Sequence, residues 1–537
     1  MRIAHVLSVV AFTGLALVCS SSGCGSNGSG SGGSSGSGGS GHSSGAGSTG
    51  TGTCTSFTDC PGGPGGGDGG SAPTGLNVKC AAGMGKACVC AGCPMGSCTT
   101  ISGTVYDPAG NNPLYGITVF VPPGAASLAP MPQGASCVGC ADLFPSDILA
   151  DDITDVQGNF KIPNAPTSDG PVAVVVQVGK WRKLYTLPKV SGCVDNPIGK
   201  LTLPSKNSPN DPTIGSIPNI AVATGGADSL ECLFRRIGVD DSEFTPDPAG
   251  VNPPGQIKIF SGYNGASTQM PDAYPSQQLW DTVDDLKRFD VVLLSCEGRE
   301  TVDGPSGGAT TLLTSDKQNL LDYANSGGRV FASHYHYNWF NSGPFATATT
   351  PTMATWLTGA NLIDDGRSFP GVVVTKLGNG MPFPEGQHML DWLTNLPGAL
   401  TNGKLPIYYT RHNVSALNSP PAQAWINLDS TGPVPNTTQY FSVDAPFAGA
   451  AQPPGESSCG RVVYSDLHVS GGPGMQEPGL GITPDYQGAI GGVGGIVPSG
   501  CDKHKLTPQE LALEFMIFNL SSCLVPPGME PVKPKIQ

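Results

Sequence analysis

The sequence predicts a multidomain chain in which a β domain is followed by an α/β domain, both behind an unfolded N-terminal tether. Three observations carry that reading. Residues 25–52 are almost entirely Gly, Ser and Thr, and such a segment buries too little apolar surface to offset its ordering entropy. Between residues 99 and 204, apolar and polar residues alternate with period two, broken by Pro, Gly and Asn turns. Beyond Ile217, short apolar runs alternate with stretches of helical period, as strands covered by helices require.

The first element is the N-terminus. MRIAHVLSVVAFTGLALVC has one Arg and then a mostly apolar run from Val6 to Val18. Spanning a bilayer takes about 20 residues, so this run has the length of a signal-peptide core instead. Cys24 follows Ser21-Ser22-Gly23, and a small residue before cysteine suits lipoprotein processing; Cys19, behind Val18, is the poorer alternative. The expectation is an exported protein, anchored by lipid to the outer membrane or cell surface, with residues 1–24 as signal and 25–52 as spacer. The 17 cysteines of the chain agree with an oxidising compartment. A net charge of −14, from 27 basic and 41 acidic residues, argues against nucleic acid as a partner.

Residues 53–98 form a cysteine-rich segment holding Cys54, Cys60, Cys80, Cys88, Cys90, Cys93 and Cys98. A zinc site wants two Cys-x-x-Cys pairs close together, whereas Cys90/Cys93 and Cys137/Cys140 lie in different segments. Disulfides are therefore expected, and an odd cysteine count requires one bond to the outside, with Cys137, Cys140 or Cys193 as candidates.

Within 99–204, TISGTVYDPAGNNPLYGITVFVP reads as strand, turn, strand, followed by TDVQGNFKIP and PVAVVVQVGKWRKLYTLP. The residues Gly103-Thr-Val-Tyr-Asp107, Pro113-Leu-Tyr-Gly116, Ile117-Thr-Val-Phe120 and Asp155 with Gly158-Asn-Phe160 resemble the carboxypeptidase regulatory-like, transthyretin-like β-sandwich family. That resemblance implies an accessory, carbohydrate-binding-like module without zinc ligands. No histidine occurs between residues 43 and 333, so no His-based metal site belongs here. Trp181 and Tyr185 are the candidate ligand-binding residues, to stack on a sugar or simply to cover a sheet face. The inserted segment carrying Cys137 and Cys140 departs from the family.

After a linker at 205–216, residues 217–524 alternate. NIAVATGG, DVVLLSC, RVFASH and GRVVYSDLHV read as strands. ADSLECLFRRIG, PSQQLWDTVDDLKRF, SDKQNLLDYANSGG and TPQELALEFMIFNLSSC read as helices. Ser315 with Gln318 suggests a capping box, Gly327-Gly328 a helix stop, and Thr507-Pro508 with Glu510 a helix start. A mostly parallel, flavodoxin-like sheet follows, with residues 525–537 as a tail. FDVVLLSCEG, LLDYANSGGRVFASHYHYNWF and CGRVVYSDLHV resemble the class I glutamine-amidotransferase-like superfamily, especially its trehalose-utilisation-like (ThuA-like) branch. That group's glutaminases need a Gly-x-Cys-x-Gly turn and a later His-x-Glu. Here Ser333-His334-Tyr335 and His468-Val-Ser470 stand in those places, so glutaminase activity is not expected.

Ligands of open α/β sheets bind beyond the carboxyl ends of the strands. Glu297, His334, His336, Asp466 and His468 gather there as candidate catalytic residues, joined by Arg411 and His412 as candidate ligand-binding residues. His334 and His336 share a face if the strand continues, and with His468 they are the candidate metal set, although no cofactor is expected. Cys296 reads as a buried thiol or half of a disulfide. Asp228, after the Thr224-Gly225-Gly226 turn, reads as a helix cap. The first expectation is a surface binding or scaffold protein for polysaccharide or protein with a silent α/β domain. The alternatives are a secreted, carbohydrate-active or metal-assisted hydrolase, and a purely structural envelope protein.

Overall fold

The computed structural model describes Cys93 and residues 98–137, 140–247, 253–263, 265, 273–304, 308–346, 353–358, 368–418, 421–430, 437–447, 458–469, 501 and 504–530. The signal, both candidate lipid cysteines (Cys19 and Cys24), the spacer and most of the cysteine-rich segment lie outside the described residues.

Seven strands follow Cys98: β1 (Thr100–Tyr106), β2 (Thr118–Val121), β3 (Ala150–Ile153), β4 (Asn159–Ile162), β5 (Val172–Val178), β6 (Trp181–Leu187) and β7 (Asp195–Thr202). They form two sheets, ordered β4-β1-β7 and β3-β2-β5-β6. The turn that carries the chain from β3 to β4, and from one sheet to the other, is built on Asp155, whose carboxylate accepts the amides of Gln157 and Asn159 at 2.9 Å each. Gly158 there has φ +75, a conformation only glycine adopts without strain. β5 is apolar along almost its whole length because both its faces are covered. Val174 and Val176 point into the main core, while Val175 joins Phe120, Phe144, Ile148 and Leu184 beneath the inserted segment.

The remainder supplies β8 (Ile220–Thr224), α1 (Leu230–Arg236), β9 (Phe244–Pro246), β10 (Ile257–Ser261), β11 (Tyr274–Pro275), α2 (Gln277–Trp280), α3 (Val283–Lys287), β12 (Val291–Leu294), β13 (Val302–Asp303), β14 (Ala309–Thr310), α4 (Thr314–Asn325) and β15 (Arg329–Ser333). Then come β16 (Ala354–Trp356), β17 (Ser368–Val373), α5 (Pro384–Asn395), β18 (Leu405–Tyr408), β19 (Val414–Leu417), β20 (Gln423–Leu428), β21 (Thr438–Ala445), β22 (Gly460–Ser465) and α6 (Pro508–Ser521). Eleven of these strands form one sheet, ordered β11-β10-β8-β12-β15-β22-β21-β20-β17-β18, with β9 beside β10.

That sheet is mixed, and the expectation of a mostly parallel one is modified accordingly. From β11 to β22 neighbouring strands run parallel; from β22 through β21, β20, β17 and β18 they run antiparallel. In chain order, β8, β10, β12, β15 and β22 lie as second, first, third, fourth, fifth. The order reverses between β8 and β12.

Local chemistry explains the helix ends. α6 starts at the expected box, Thr507 Oγ1 accepting the Glu510 amide at 3.2 Å and Glu510 accepting the Thr507 amide at 2.7 Å. α4 does not use Ser315 and Gln318. Its start is closed by Asp316, which accepts the Leu313 amide at 2.9 Å, and Gln318 bonds Asp322 instead. Asp228 is likewise no cap, since Ser229 holds that position and Asp228 accepts the Val469 amide at 3.0 Å. α6 is buried on every side, as its all-round apolar sequence requires.

One hydrophobic core runs through both parts, including Val105, Val174 and Trp181 with Leu233, Phe515 and Phe518. The segment expected as a linker is fastened along β6, with the Arg182 and Ser216 backbones exchanging two hydrogen bonds at 3.0 and 2.7 Å. Disulfides join Cys93 to Cys193, Cys137 to Cys459 and Cys232 to Cys501. The second ties the inserted segment to the strand end before β22.

Candidate functional site

β8, β12, β15 and β22 end together, and the residues just beyond them form the site. Each strand is a run of four to six buried residues, so polarity begins abruptly where the strand stops. Gly225 lets the β8 turn approach β12, because a Cβ there would lie 2.2 Å from the Cys296 carbonyl oxygen. Cys296 follows β12 and is a buried free thiol. Its amide donates to Ser333 Oγ at 2.9 Å, locking the end of β12 to the end of β15.

β15 does not continue to His336. The chain turns at His334, at φ +46, into a short 3₁₀ helix spanning His334–Trp339. A left-handed backbone at a non-glycine residue stores strain, and such residues concentrate at functional sites. The turn separates the two histidines. His334 Nδ1 lies 3.3 Å from Cys296 Sγ, and its ring sits 5.0 Å, centroid to centroid, from that of His468. His336 leaves the cluster: Nε2 is 2.8 Å from the Ser295 carbonyl and Nδ1 accepts the Trp339 indole N–H at 3.1 Å. Both its nitrogens are occupied by structure, which removes it from the expected metal set.

The ligating atoms of Cys296, His334 and His468 lie within 4.8 Å of one another, and all three residues are buried. His334 Nε2 and both ring nitrogens of His468 form no hydrogen bond of good geometry among the described residues, although the Asn413 side chain and the Ala227 backbone lie close. Around them stand Asp466 and Arg411. The Tyr464 hydroxyl is 2.7 Å from both Asp466 Oδ1 and the His334 carbonyl oxygen, and Asp466 Oδ2 accepts the Val414 amide at 3.1 Å. Arg411 is 2 % exposed. Its guanidinium donates to the Tyr409 carbonyl and its own carbonyl accepts from Gln439.

Burial sets the protonation states. It holds the His334 and His468 imidazoles well below their ordinary range, with Arg411 adding repulsion, so both are neutral near pH 7. Burial pushes the Cys296 thiol up to about 12 against the lowering effect of amides from Tyr335 and Gly298. As a free group it stays protonated, which excludes an unaided thiolate nucleophile. Asp466 rises to about 7 for the same reason, with Tyr464 and two backbone amides opposing. Two neutral imidazoles and a thiol are donors that a borderline transition metal accepts, or they can serve acid–base work on a bound substrate.

The remaining candidates make other contacts. Glu297 is buried against Gly262 after β10, where a Cβ would come 2.8 Å from its Oε1. His412 is buried with Nδ1 3.1 Å from Thr437 Oγ1. Trp181 cannot stack on a sugar in this structure: it is fully buried, its ring 5.7 Å from that of Phe518 on α6. Tyr185 uses its hydroxyl to join β6 to the Thr202 backbone at 2.8 Å. Sequence reasoning missed Cys296 as a partner of the histidines, and Tyr464 and Asn413 altogether. A signal for Cys296 existed, since DVVLLSC places it at a strand end in the same row as His334 and His468.

No family model and no curated protein matches the chain. Among solved structures, a cytoplasmic protein of Salmonella typhimurium (STM3548) aligns at 13% identity over 46% of this chain and 85% of its own, with a TM-score of 0.24. A 9R-lipoxygenase from Cyanothece PCC8801 aligns at 22% identity over 22% of this chain and 18% of its own, with a TM-score of 0.13.

Proposed function

We propose that the α/β part is a catalytic domain, a hydrolase acting outside the cell on a small, carbohydrate-derived substrate, in a chain anchored by lipid on Cys24. One observation carries the reading. Cys296, His334 and His468, from three strand ends, converge beside the point where the strand order reverses, the place where open α/β sheets bind ligands. A silent scaffold gives no reason to keep buried, poorly bonded imidazoles there, each costing about 1–3 kcal/mol.

The strand order β10-β8-β12-β15-β22 is that of the flavodoxin-like class, and this supports the amidotransferase-like resemblance. In that reading, the strained turn after β15 is kept while its cysteine is replaced by His334. The later histidine survives as His468, and a thiol stands one strand over at Cys296. Amide hydrolysis of glutamine is then exchanged for hydrolysis of another bond, with His334 and His468 at the centre of the site.

The test is turnover of a panel of sugar esters, lactones and glycosides by the full chain. His334→Ala and His468→Ala are expected to abolish it with the melting temperature unchanged. A panel left untouched by the wild type, together with capture of the protein on immobilised polysaccharide, returns the function to binding. Mass spectrometry of the mature N-terminus tests the anchor, and an unmodified Cys24 ends it.

A further inference from the structure

We propose that Cys296, His334 and His468 are the three protein ligands of one zinc-class divalent metal ion, held with a further coordination position open. The proposal rests on the catalytic reading of this site and deepens it by naming the group that does the chemistry. The ligand set differs from the one read off the sequence, with Cys296 in the place of His336.

Geometry is the first support. Around a tetrahedral zinc, thiolate and imidazole donors stand about 3.4–3.6 Å apart, given bonds of about 2.3 and 2.0 Å. Cys296 Sγ and His334 Nδ1 are already 3.3 Å apart, and all three donor atoms lie within 4.8 Å of each other. The widest separation has to close by at most about 1.4 Å.

Pre-organisation is the second. The main chain of every ligand is pinned by a neighbouring side chain. Ser333 Oγ accepts the Cys296 amide at 2.9 Å, the Tyr464 hydroxyl is 2.7 Å from the His334 carbonyl oxygen, and the Gln509 amide donates to the His468 carbonyl. The Gly298 amide reaches Cys296 Sγ at 3.4 Å, a donor placed to stabilise a metal-bound sulfur. Outer partners of this kind are what orient ligands and tune a metal.

Unmet valence is the third. His468 has neither ring nitrogen in a hydrogen bond of good geometry, and His334 has only Nδ1 against sulfur. A metal ion gives a partner to Cys296 Sγ, to His334 Nδ1 and to one ring nitrogen of His468. The contrasting cluster of Glu231, Cys232 and Cys501 also brings donors together. Its two sulfurs are taken up by the Cys232–Cys501 disulfide, so neither is available as a thiolate ligand.

Binding is balanced by one proton: the Cys296 thiol releases it to solvent and the sulfur binds as thiolate. No electrons move. Bound in this way, a zinc-class ion polarises a water or a substrate oxygen at the open position, the usual service of a metal held by three protein ligands.

The experiment is metal analysis and cobalt substitution of the full chain, purified without chelators. One equivalent of zinc is expected. Replacement by Co(II) is expected to give the strong visible bands of a tetrahedral ion and a thiolate-to-cobalt charge-transfer band. Cys296→Ser removes the charge-transfer band, and Tyr464→Phe, which retains the ring, weakens metal binding roughly 10-fold or more. Should Cys296→Ser fail to fold, the wild-type cobalt spectrum and its reversal by a chelator decide alone. Less than a tenth of an equivalent of metal, with no charge-transfer band on cobalt addition, overturns the metal site. Turnover that persists in chelator likewise overturns it while leaving the catalytic reading standing. A full equivalent of metal without turnover of any substrate supports the site and counts against the hydrolase.

Discussion

The two ends of β22 hold buried polar clusters of opposite character. At its start, Arg461 is sealed from solvent and fully answered. Its guanidinium grips Asp444 at 2.6 and 3.2 Å, reaches Asn519 at 2.9 Å and lies 3.7 Å from Glu385. At its far end, His468 and its neighbours are equally buried, yet the imidazoles are neutral and only partly bonded. Burial of polar groups therefore does not mark function by itself. What separates the ends is whether the groups satisfy one another. Arg461 does its work by being paired, and the cluster at the carboxyl end is shaped for something else to complete it.

The largest expected effect lies at the satisfied end. Arg461→Met leaves Asp444 and Glu385 buried without their cation and is expected to cost about 3–5 kcal/mol in urea unfolding. Loss of less than about 1 kcal/mol would erase the contrast.

A middle-sized effect tests buried carboxyls between the sandwich and α6. Burial raises Asp107 to about 6, and Glu514 is raised well above its ordinary value by burial and by Asp107. The Asn112 side-chain amide, on the turn that follows Asp107, donates to Glu514 at 2.6 Å. A raised carboxyl favours the protonated fold. Its contribution is complete below 3.8 and is lost as pH rises through about 6. Asp107→Asn is expected to flatten that slope and to add about 1–2 kcal/mol at pH 7, within the span of a two-unit shift. Unfolding curves across this pH range that coincide for both proteins would exclude it.

The smallest effect on stability is expected at the unsatisfied end. His468→Leu replaces a poorly bonded ring by an apolar side chain of different shape, so relief of the unmet polar atoms is offset by poorer packing and the metal-free protein should change by about 1 kcal/mol or less. Turnover and metal binding should vanish together in the same variant. A loss comparable to that of Arg461→Met would make His468 a structural residue.

Of the two ends, only the carboxyl one was legible in the sequence, and the failures are instructive. The strands DVVLLSC, RVFAS and GRVVYS announce themselves as short, wholly apolar runs, because a parallel strand covered on both faces needs no polar side. Their ends, and so the positions of Cys296, His334 and His468, follow directly. The antiparallel half escaped because β17, β18 and β20 show mixed burial and are separated by long connections. The His336 assignment failed on one dihedral: the positive φ at His334 ends the strand a residue before the pattern suggests. The choice between the two roles open to Trp181 needed the fold for a different reason. Nothing in β6 itself reveals that α6, over 300 residues later, packs across it; only the all-round apolar face of α6 hints that it must be buried somewhere.

The most direct test of the strand-end cluster is X-ray absorption at the zinc edge on the full chain loaded with one equivalent of zinc. One sulfur and two imidazole nitrogens in the first shell, the sulfur lost in Cys296→Ser, are the expected result. A shell of oxygen and nitrogen alone, unchanged in Cys296→Ser, would contradict the assignment of these residues as one site.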